Sequence, residues 1–244
     1  MNLHRICTPF YFWLAFVAVL FVAPAQLPAA ESATNARPIR VICLGDSVTM
    51  GALLKHPAKD SYPARLQTRL GGGYVVRNYG VGGCTLIHQG QPNVWSTLKR
   101  IQADQFAPDI VVINLGINDT CGAPRHCWDH HADFAGDYRE LIAALRALPS
   151  QPRLWLCAPT PMMLAAPGVT RNRQQELAER IPRLDELIGV AKQMVKEQGT
   201  GFIDLHTPFA GKPEWFNPDG VHPNKAGYAA IAEVVAQALK ESSR

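Results

Sequence analysis

The sequence predicts an α/β protein in which a parallel sheet is covered by helices on both faces. Five short apolar runs are typical of buried strands, at 39–44, 74–78, 109–115, 153–157 and 201–205. Helical patterns alternate with them, at 61–70, 94–105, 133–147, 172–198 and 224–240. Strands that alternate with helices form parallel sheets, because each crossover helix returns the chain to the end of the sheet where the previous strand began.

The composition is that of an ordinary globular domain. The chain has 244 residues, of which 47% are hydrophobic and 18% are charged, and its formal net charge is +4. These values exclude collagen-like, low-complexity and globally disordered proteins. The small charge excess is spread along the chain, so nucleic acid is not a predicted partner.

Residues 1–30 have the pattern of a secretory signal peptide. A basic start without acids precedes an unbroken apolar run at 10–22, and small residues suited to signal peptidase follow. These are the three parts of an export signal. The alternative, a transmembrane anchor, needs roughly 18–20 apolar residues. We therefore predict export to the periplasm or medium, no membrane contact after cleavage, and one mature domain over 31–244.

Five cysteines follow residue 30. An exported protein can keep disulfides. Cys121 and Cys127 share a polar loop, which favours a local bridge between them, with Cys84 as an alternative partner for Cys121. Cys43 and Cys157 lie in apolar runs and are predicted to be small buried hydrophobic residues.

The helical segments carry apolar residues at three- and four-residue spacing, which places them on one face. In 133–147 these residues are Phe134, Tyr138, Leu141, Ile142 and Leu145. In 224–240 they are Ala226, Ile231, Val234, Val235 and Leu239. The segment at 172–198 is long and charged on its outer face.

The first polar cluster is Gly45-Asp46-Ser47-Val48-Thr49, directly after the first strand. A serine at a strand-to-helix turn can expose its Oγ above the sheet, near a helix N-terminus that stabilises negative charge. The motif is not the G-x-S-x-G of α/β-hydrolases, because position 49 is Thr. The alternative is that Ser47 is only a helix N-cap.

The second cluster, NYGVGGC at 78–84, follows the second strand. Glycine has no Cβ, so a backbone N–H can approach a ligand closely here. A dinucleotide site would need G-x-G-x-x-G and an acid about 20 residues on, and neither is present. A plain glycine turn is the alternative.

The third cluster, Gly116-Ile117-Asn118-Asp119, follows the third strand. The side-chain amide of Asn118 is a donor that suits an oxyanion. The alternative for Asn118 is a local Asx turn.

The fourth cluster, Asp219-Gly220-Val221-His222, precedes the last helix. A carboxylate three residues before an imidazole can hold one ring nitrogen and leave the other free as a base. The alternative is that His222 is an ordinary loop residue.

In this order the four clusters resemble the conserved blocks of the SGNH, or GDSL-type, hydrolase family, over nearly all of residues 39–240. Gly45-Asp46-Ser47 is similar to the first block, Gly83 to the second, Gly116–Asp119 to the third and Asp219–His222 to the fifth. The first block continues Val48-Thr49 rather than Leu-Ser, a change that the family tolerates. The resemblance implies a flavodoxin-like three-layer α/β/α sandwich with five parallel strands, in agreement with the strand count.

The resemblance also implies roles for individual residues. Ser47 would be the nucleophile, His222 the general base and then acid, and Asp219 the residue that orients His222. The backbone N–H groups of Ser47 and Gly83, with the Asn118 side chain, would form the oxyanion hole. No cofactor is expected.

Other residues near these clusters have two interpretations each. The segment 126–131 is dense in metal-capable groups, but the family needs no metal, and none is predicted. Trp128 and Trp215 are candidate substrate-binding residues, although aromatic side chains more often serve packing.

The resemblance implies an exported serine esterase that removes O-acetyl groups from a small-molecule or polysaccharide ester. The polar and aromatic loops of this chain favour an ester with a sugar as its alcohol over an ester with a long acyl chain. The alternatives are a lysophospholipase or thioesterase, an acyltransferase that uses the same acyl-serine, and a binding module that has lost activity.

Overall fold

The computed structural model describes residues 37–241, and the predicted signal peptide lies outside these residues. The strands are β1 (Ile39–Gly45), β2 (Tyr74–Gly80), β3 (Ile110–Asn114), β4 (Arg153–Ala158) and β5 (Gly201–Asp204). The helices are α1 (Ser47–Met50), α2 (Pro57–Asp60), α3 (Tyr62–Leu70), α4 (Val94–Ala103), α5 (Phe134–Arg146), α6 (Arg171–Gln198) and α7 (Lys225–Glu241). Within 37–241 no helix has the length and apolar character that a membrane span requires.

The five strands form one parallel sheet in the order β2-β1-β3-β4-β5. The central strand β3 is buried along its whole length, as expected for a strand covered on both faces. The edge strand β2 instead has several half-buried or exposed residues. This strand order is that of flavodoxin-like folds, so the predicted fold class is confirmed.

Two buried clusters lie on opposite faces of the sheet, and alternate residues of β1 enter one or the other. The first core cluster combines β1 with α3 and α7 and includes Val41, Cys43, Tyr62, Leu66, Tyr228 and Ile231. The second combines β1 with α4 and α5 and includes Ile42, Leu44, Leu98, Leu141 and Leu145. Cys43 and Cys157 are buried in the first cluster, as predicted.

The end of β2 differs from the sequence prediction. The predicted strand stops at residue 78, but the structure continues it to Gly80, which pairs with Gly45 of β1. A Cβ on Gly80 would lie 2.1 Å from the backbone nitrogen of Met50. Glycine therefore lets α1 pack directly against the end of the neighbouring strand.

The disulfide prediction is wrong for this structure, because all five cysteines within 37–241 are free. Cys127 is buried in the second core cluster, and its thiol faces the carbonyl oxygen of Arg125. Cys121 is only partly buried, and its sulfur lies 3.9 Å from Arg125 Nη1. Cys84, the alternative partner, is buried with its sulfur against the Thr85 carbonyl. Cys121 and Cys127 are close in sequence, but their sulfur atoms face different partners, so no disulfide joins them.

Asp109 connects the amino ends of the central strands. Its carboxylate accepts two hydrogen bonds from the Arg37 guanidinium, at 2.7 and 2.8 Å, and one from the Arg40 backbone N–H. Its own backbone N–H donates to the Arg40 carbonyl, and its carbonyl accepts from the Arg153 N–H. The hydrogen bond from Arg37, together with those from Arg40, outweighs partial burial and lowers the pKa of Asp109 from 3.8 to about 2.

We expect Asp109→Asn to lower the free energy of unfolding by about 1 kcal/mol at pH 7, after allowance for the solvent exposure of Arg37. The native pKa lies below the unfolded value, so the stabilisation exists above about pH 4 and disappears as pH falls towards about 2. Urea unfolding followed by circular dichroism measures both effects. The stability curves of wild type and variant should converge in acid.

Asp133→Asn is the matched control, since Asp133 is exposed and no hydrogen bond or ion pair to its side chain is found within 37–241. Its stability should stay within about 0.5 kcal/mol of wild type. Equal losses for both substitutions would contradict the role of Asp109.

Candidate active site

Ser47 lies at the turn between β1 and α1, where Asp46 rather than Ser47 is the N-cap. The Asp46 Oδ1 accepts a hydrogen bond from the Val48 backbone N–H at 2.9 Å. Ser47 is the first residue of the helix. Its hydroxyl is therefore not used as the cap and is available to another partner.

That partner is His222. The Nε2 of His222 lies 2.8 Å from Ser47 Oγ, across 175 residues of sequence. The other ring nitrogen, Nδ1, forms a short hydrogen bond with Asp219 Oδ2. The structure thus brings Ser47, His222 and Asp219 into one continuous chain of hydrogen bonds.

The loop that carries Asp219 and His222 is held by several hydrogen bonds. Asp219 Oδ1 accepts from the backbone N–H groups of Val221 and His222, each at 3.0 Å. The backbone N–H of Asn217 donates to the His222 carbonyl at 2.9 Å. Arg173 of α6 donates through Nε to the Asp219 carbonyl at 2.9 Å. These contacts fix the direction of the imidazole ring.

The environment of Asp219 keeps its carboxyl ionised. Partial burial raises the pKa of this carboxyl. Hydrogen bonds from the His222 side chain and from two backbone N–H groups lower the pKa by more than burial raises it, so the net pKa lies below the ordinary value. An ionised Asp219 accepts a hydrogen bond from the Nδ1–H of His222, which leaves the lone pair of Nε2 facing Ser47. The arrangement can therefore remove the hydroxyl proton from Ser47.

Three predicted donors lie on the loops that follow β1, β2 and β3, and these strands end side by side in the sheet. Within 37–241 no acceptor takes the backbone N–H of Ser47 or of Gly83, and Gly83 has a left-handed φ of 74°. The Nδ2 of Asn118 donates to the Cys84 carbonyl at 3.1 Å, which leaves its second N–H. Asn118 Oδ1 accepts from Arg125 at 3.1 Å, so its side chain does not form the local Asx turn.

Asp119 is a buried residue for which the sequence predicted no individual role. It is only 1% exposed, and its carboxylate accepts hydrogen bonds from the backbone N–H groups of Leu86 and Ile87, each at 2.9 Å. Burial raises the pKa of Asp119 to about 7, although these two N–H groups oppose the rise. Asp119 joins the loop after β2 to the loop after β3. Its position in the loop after β3, directly after Asn118, could have suggested such a role.

Two arginines of α6, Arg180 and Arg183, donate hydrogen bonds to the loop that carries Asn118. The sequence alone did not point to either of them. Arg180 is 6% exposed, and it donates to the Ile117 carbonyl at 2.9 Å and to Thr120 Oγ1 at 3.0 Å. Arg183 donates to the Thr120 carbonyl at 3.0 Å. Their position in a charged helical pattern gave no signal, because such residues usually face solvent.

The two tryptophans predicted to bind substrate both have packing partners. The ring of Trp128 stacks on His131 at 4.3 Å and lies 5.4 Å from the Arg183 guanidinium. The ring of Trp215 contacts Phe209 edge to face at 5.2 Å. Contact of either tryptophan with a substrate stays a prediction.

The metal-capable side chains of 126–131 have local hydrogen bonds. His126 Nδ1 pairs with Asp129, and His131 Nδ1 lies 2.8 Å from the Trp128 carbonyl oxygen. Elsewhere in the described part of the chain, one group of three could converge on an ion, His88, Asp137 and Glu140. None of the three belongs to the clusters that contain Ser47 and His222, so the site chemistry described above does not use them.

Comparison with known proteins places this site in a family context. Residues 43–230 match the model of the GDSL-like Lipase/Acylhydrolase family. An acetylxylan esterase from Xylanibacter ruminicola is 32% identical over 219 residues, which cover 83% of this chain and 43% of that protein. The chain thus spans less than half the length of this relative.

Solved structures show the same fold. A putative arylesterase from Agrobacterium tumefaciens is 25% identical, with a TM-score of 0.62 over 83% of this chain and 99% of that one. Est24, a carbohydrate acetylesterase from Sinorhizobium meliloti, is 19% identical, with a TM-score of 0.66 over the same shares. At that lower identity the likeness concerns the fold alone.

The geometry predicts that Ser47 is reactive and that Asp219 supports its reactivity. Phenylmethylsulfonyl fluoride should modify wild-type protein at Ser47, which peptide mass spectrometry would locate. Asp219→Asn should slow the modification by about 100-fold or more, because His222 loses the partner that sets its tautomer.

Asp204→Asn is a matched control, because Asp204 Oδ1 also accepts from two following backbone N–H groups, those of His206 and Thr207. Its labelling rate should stay within about twofold of wild type. Equal rates in wild type and Asp219→Asn would contradict the role assigned to this carboxylate.

Proposed function

The chain belongs to the GDSL-like lipase/acylhydrolase family, and on this basis we propose that it is a serine esterase that removes O-acetyl groups from a carbohydrate. The observation that carries the proposal is the 2.8 Å contact between Ser47 Oγ and His222 Nε2, with Asp219 behind the ring. This contact gives the Ser47 hydroxyl a base that can remove its proton during attack on an ester.

Acylation begins when Ser47 Oγ attacks the ester carbonyl carbon and its proton passes to His222 Nε2. The carbonyl oxygen becomes an oxyanion, which accepts hydrogen bonds from the N–H groups of Ser47 and Gly83 and from the Asn118 side chain. Asp219 stabilises the imidazolium. The intermediate then collapses, and His222 gives the proton to the departing alcohol.

Deacylation repeats the same steps with water as the nucleophile. His222 takes a proton from water, the hydroxide adds to the acyl carbon, and the same donors bind the second oxyanion. On collapse the bond between the acyl carbon and Ser47 Oγ breaks, His222 gives its proton to that oxygen, and the carboxylic acid leaves. An acyltransferase would use the same acyl-serine but would admit an acceptor alcohol in place of water.

Two observations favour a small acyl group on a sugar. The curated relative at 32% identity is an acetylxylan esterase. In addition, the large apolar side chains that are exposed within 37–241 are Met50, Leu53 and Val75. This is little apolar surface for a long acyl chain, as a lysophospholipase or thioesterase would need.

We also propose that the protein is exported. The support is the signal-peptide pattern of residues 1–30, with its apolar run at 10–22. Polysaccharide esters are too large to enter a cell freely, so an extracytoplasmic location suits a carbohydrate substrate.

Hydrolysis of p-nitrophenyl acetate tests the reaction class. Wild type should release p-nitrophenol, and Ser47→Ala should lose at least about 1,000-fold in kcat because the nucleophile is absent. Ser96→Ala is a matched control on an exposed residue of α4, and it should keep wild-type activity. Equal rates for wild type and Ser47→Ala would refute the esterase proposal.

A series of acyl chains tests the substrate class. We expect kcat/KM to be highest for acetate and to fall by about tenfold or more from butyrate to palmitate, because little apolar surface can contact added methylenes. Acetylated xylan and acetylated sialic acid then compare two carbohydrates, with released acetate as the readout. A maximum at long chains would favour the lipase alternative, and excess transfer to an added alcohol would favour the acyltransferase.

A further inference from the structure

Arg125 lies between the two loops that supply Gly83 and Asn118. Its Nη2 donates to the Gly83 carbonyl at 2.6 Å and to the Gln91 carbonyl at 3.2 Å. Its Nη1 donates to Asn118 Oδ1 at 3.1 Å. One guanidinium therefore bridges two of the three groups predicted to form the oxyanion hole.

The contact with Asn118 determines which end of its amide faces the site. A guanidinium can only donate hydrogen bonds, so the end of the amide that meets Arg125 must be the oxygen. The nitrogen then points the other way and gives one hydrogen to the Cys84 carbonyl. Without Arg125 the amide could turn over and present its oxygen, an acceptor, to the oxyanion.

The contact with Gly83 restrains the second donor. Arg125 Nη2 binds the carbonyl of the peptide that joins Gly83 to Cys84. Gly83 has a φ of 74°, in the left-handed region that glycine adopts at little cost. A glycine loop is flexible, so hydrogen bonds from neighbouring groups are needed to hold it in one conformation. This hydrogen bond holds the peptide after Gly83, and so keeps the loop that carries the Gly83 N–H beside Arg125.

Arg125 also contributes a positive charge beside two of the groups predicted to form the oxyanion hole. No carboxylate of residues 37–241 lies within 4.0 Å of its guanidinium nitrogens, whereas Arg173 and Arg180 both pair with Glu176. The acceptors of Arg125 are neutral carbonyl groups, so its charge is not neutralised locally. A partly buried cation of this kind favours negative charge that develops beside it.

We propose that Arg125 is a positioning residue for the oxyanion hole, which orients the Asn118 amide so that its N–H meets the oxyanion and holds the loop of Gly83 beside it. This inference rests on the proposed esterase function. Lysine could not replace it fully, because one ammonium group lacks the planar fork that reaches both loops at once.

The test measures kcat and KM for p-nitrophenyl acetate in wild type, Arg125→Gln and Arg125→Lys. We expect Arg125→Gln to lower kcat by about 10–100-fold with KM changed by less than about threefold, because the loss concerns the transition state. Arg125→Lys should lose less, since it keeps the charge. The inhibition constant of a trifluoromethyl ketone, which forms an oxyanion on the serine, should rise in step with the loss of kcat/KM.

A double-mutant cycle shows whether Arg125 acts through Asn118. If it does, Arg125→Gln should cost at least about threefold less in a protein that already carries Asn118→Ala than in wild type, and the remaining loss measures what Arg125 contributes through the Gly83 loop and its charge. A full additive loss in the double variant would overturn the positioning role through Asn118. Thermal unfolding of each variant separates these effects from loss of the fold, and Arg125→Lys decides the question if Arg125→Gln does not fold.

Arg146→Gln is the matched control. Arg146 also bridges a backbone carbonyl and a side-chain amide oxygen, both of Gln198, but it joins α5 to the end of α6 and touches none of the site residues. Its kcat should stay within about twofold of wild type.

The outcomes for the two proposals differ. Absence of Ser47-dependent hydrolysis in wild type would overturn the proposed function and this inference with it. If wild type is active and both Arg125→Gln and Arg125→Lys keep the wild-type kcat, the inference alone is overturned.

Discussion

The register of three neighbouring strands is the constraint on which the site depends. Gly45 at the end of β1 is paired with Gly80 of β2 on one side and with Asn114 of β3 on the other. Three strands therefore end at one level, and the loops that follow them start side by side. The hydrogen bond from the Val81 N–H to the Gly45 carbonyl continues this alignment one residue beyond the sheet. Ser47, Gly83 and Asn118 are neighbours because backbone hydrogen bonds set the strand ends, not because their side chains attract one another.

The sheet brings the loops of the site close together, and polar side chains then hold each loop in position. Asp119 binds the backbone of the loop after β2, Arg180 and Arg183 bind the loop after β3, and Arg173 binds the loop before α7. Most of these bonds go to backbone groups of irregular segments, which need partners when they are buried. A site that must hold several donors in one geometry benefits from such restraint, since donors oriented in advance need no reorganisation during the reaction.

The sequence was sufficient for the fold, and it pointed to Ser47, Asp219 and His222, which the structure brings together and whose catalytic roles stay predictions. The reasons are physical. Buried parallel strands are nearly continuous apolar runs, and the helices that cover them have apolar faces with a regular spacing. Ser47, Asn118 and His222 follow strand ends or precede the last helix, where ligands of such folds bind. Arg125 and Arg180 could not be found in this way, because their roles depend on contacts with carbonyl groups distant in sequence. The Cys121 and Cys127 bridge failed for the related reason that loop spacing does not determine side-chain direction.

The short helix that carries Ser47 has only four residues, too few to be stable by itself. It is held by its close approach to Gly80, which lies on the edge strand of the sheet. An edge strand has a neighbour on one side only, and it is commonly among the first parts of a sheet to open. The nucleophile thus follows an interior strand, which has neighbours on both sides, while the helix that it begins packs against the outermost strand. Glycine at position 80 is therefore as much a requirement of the site as the polar residues are, because any side chain there would push this helix, and the serine with it, off the end of the sheet.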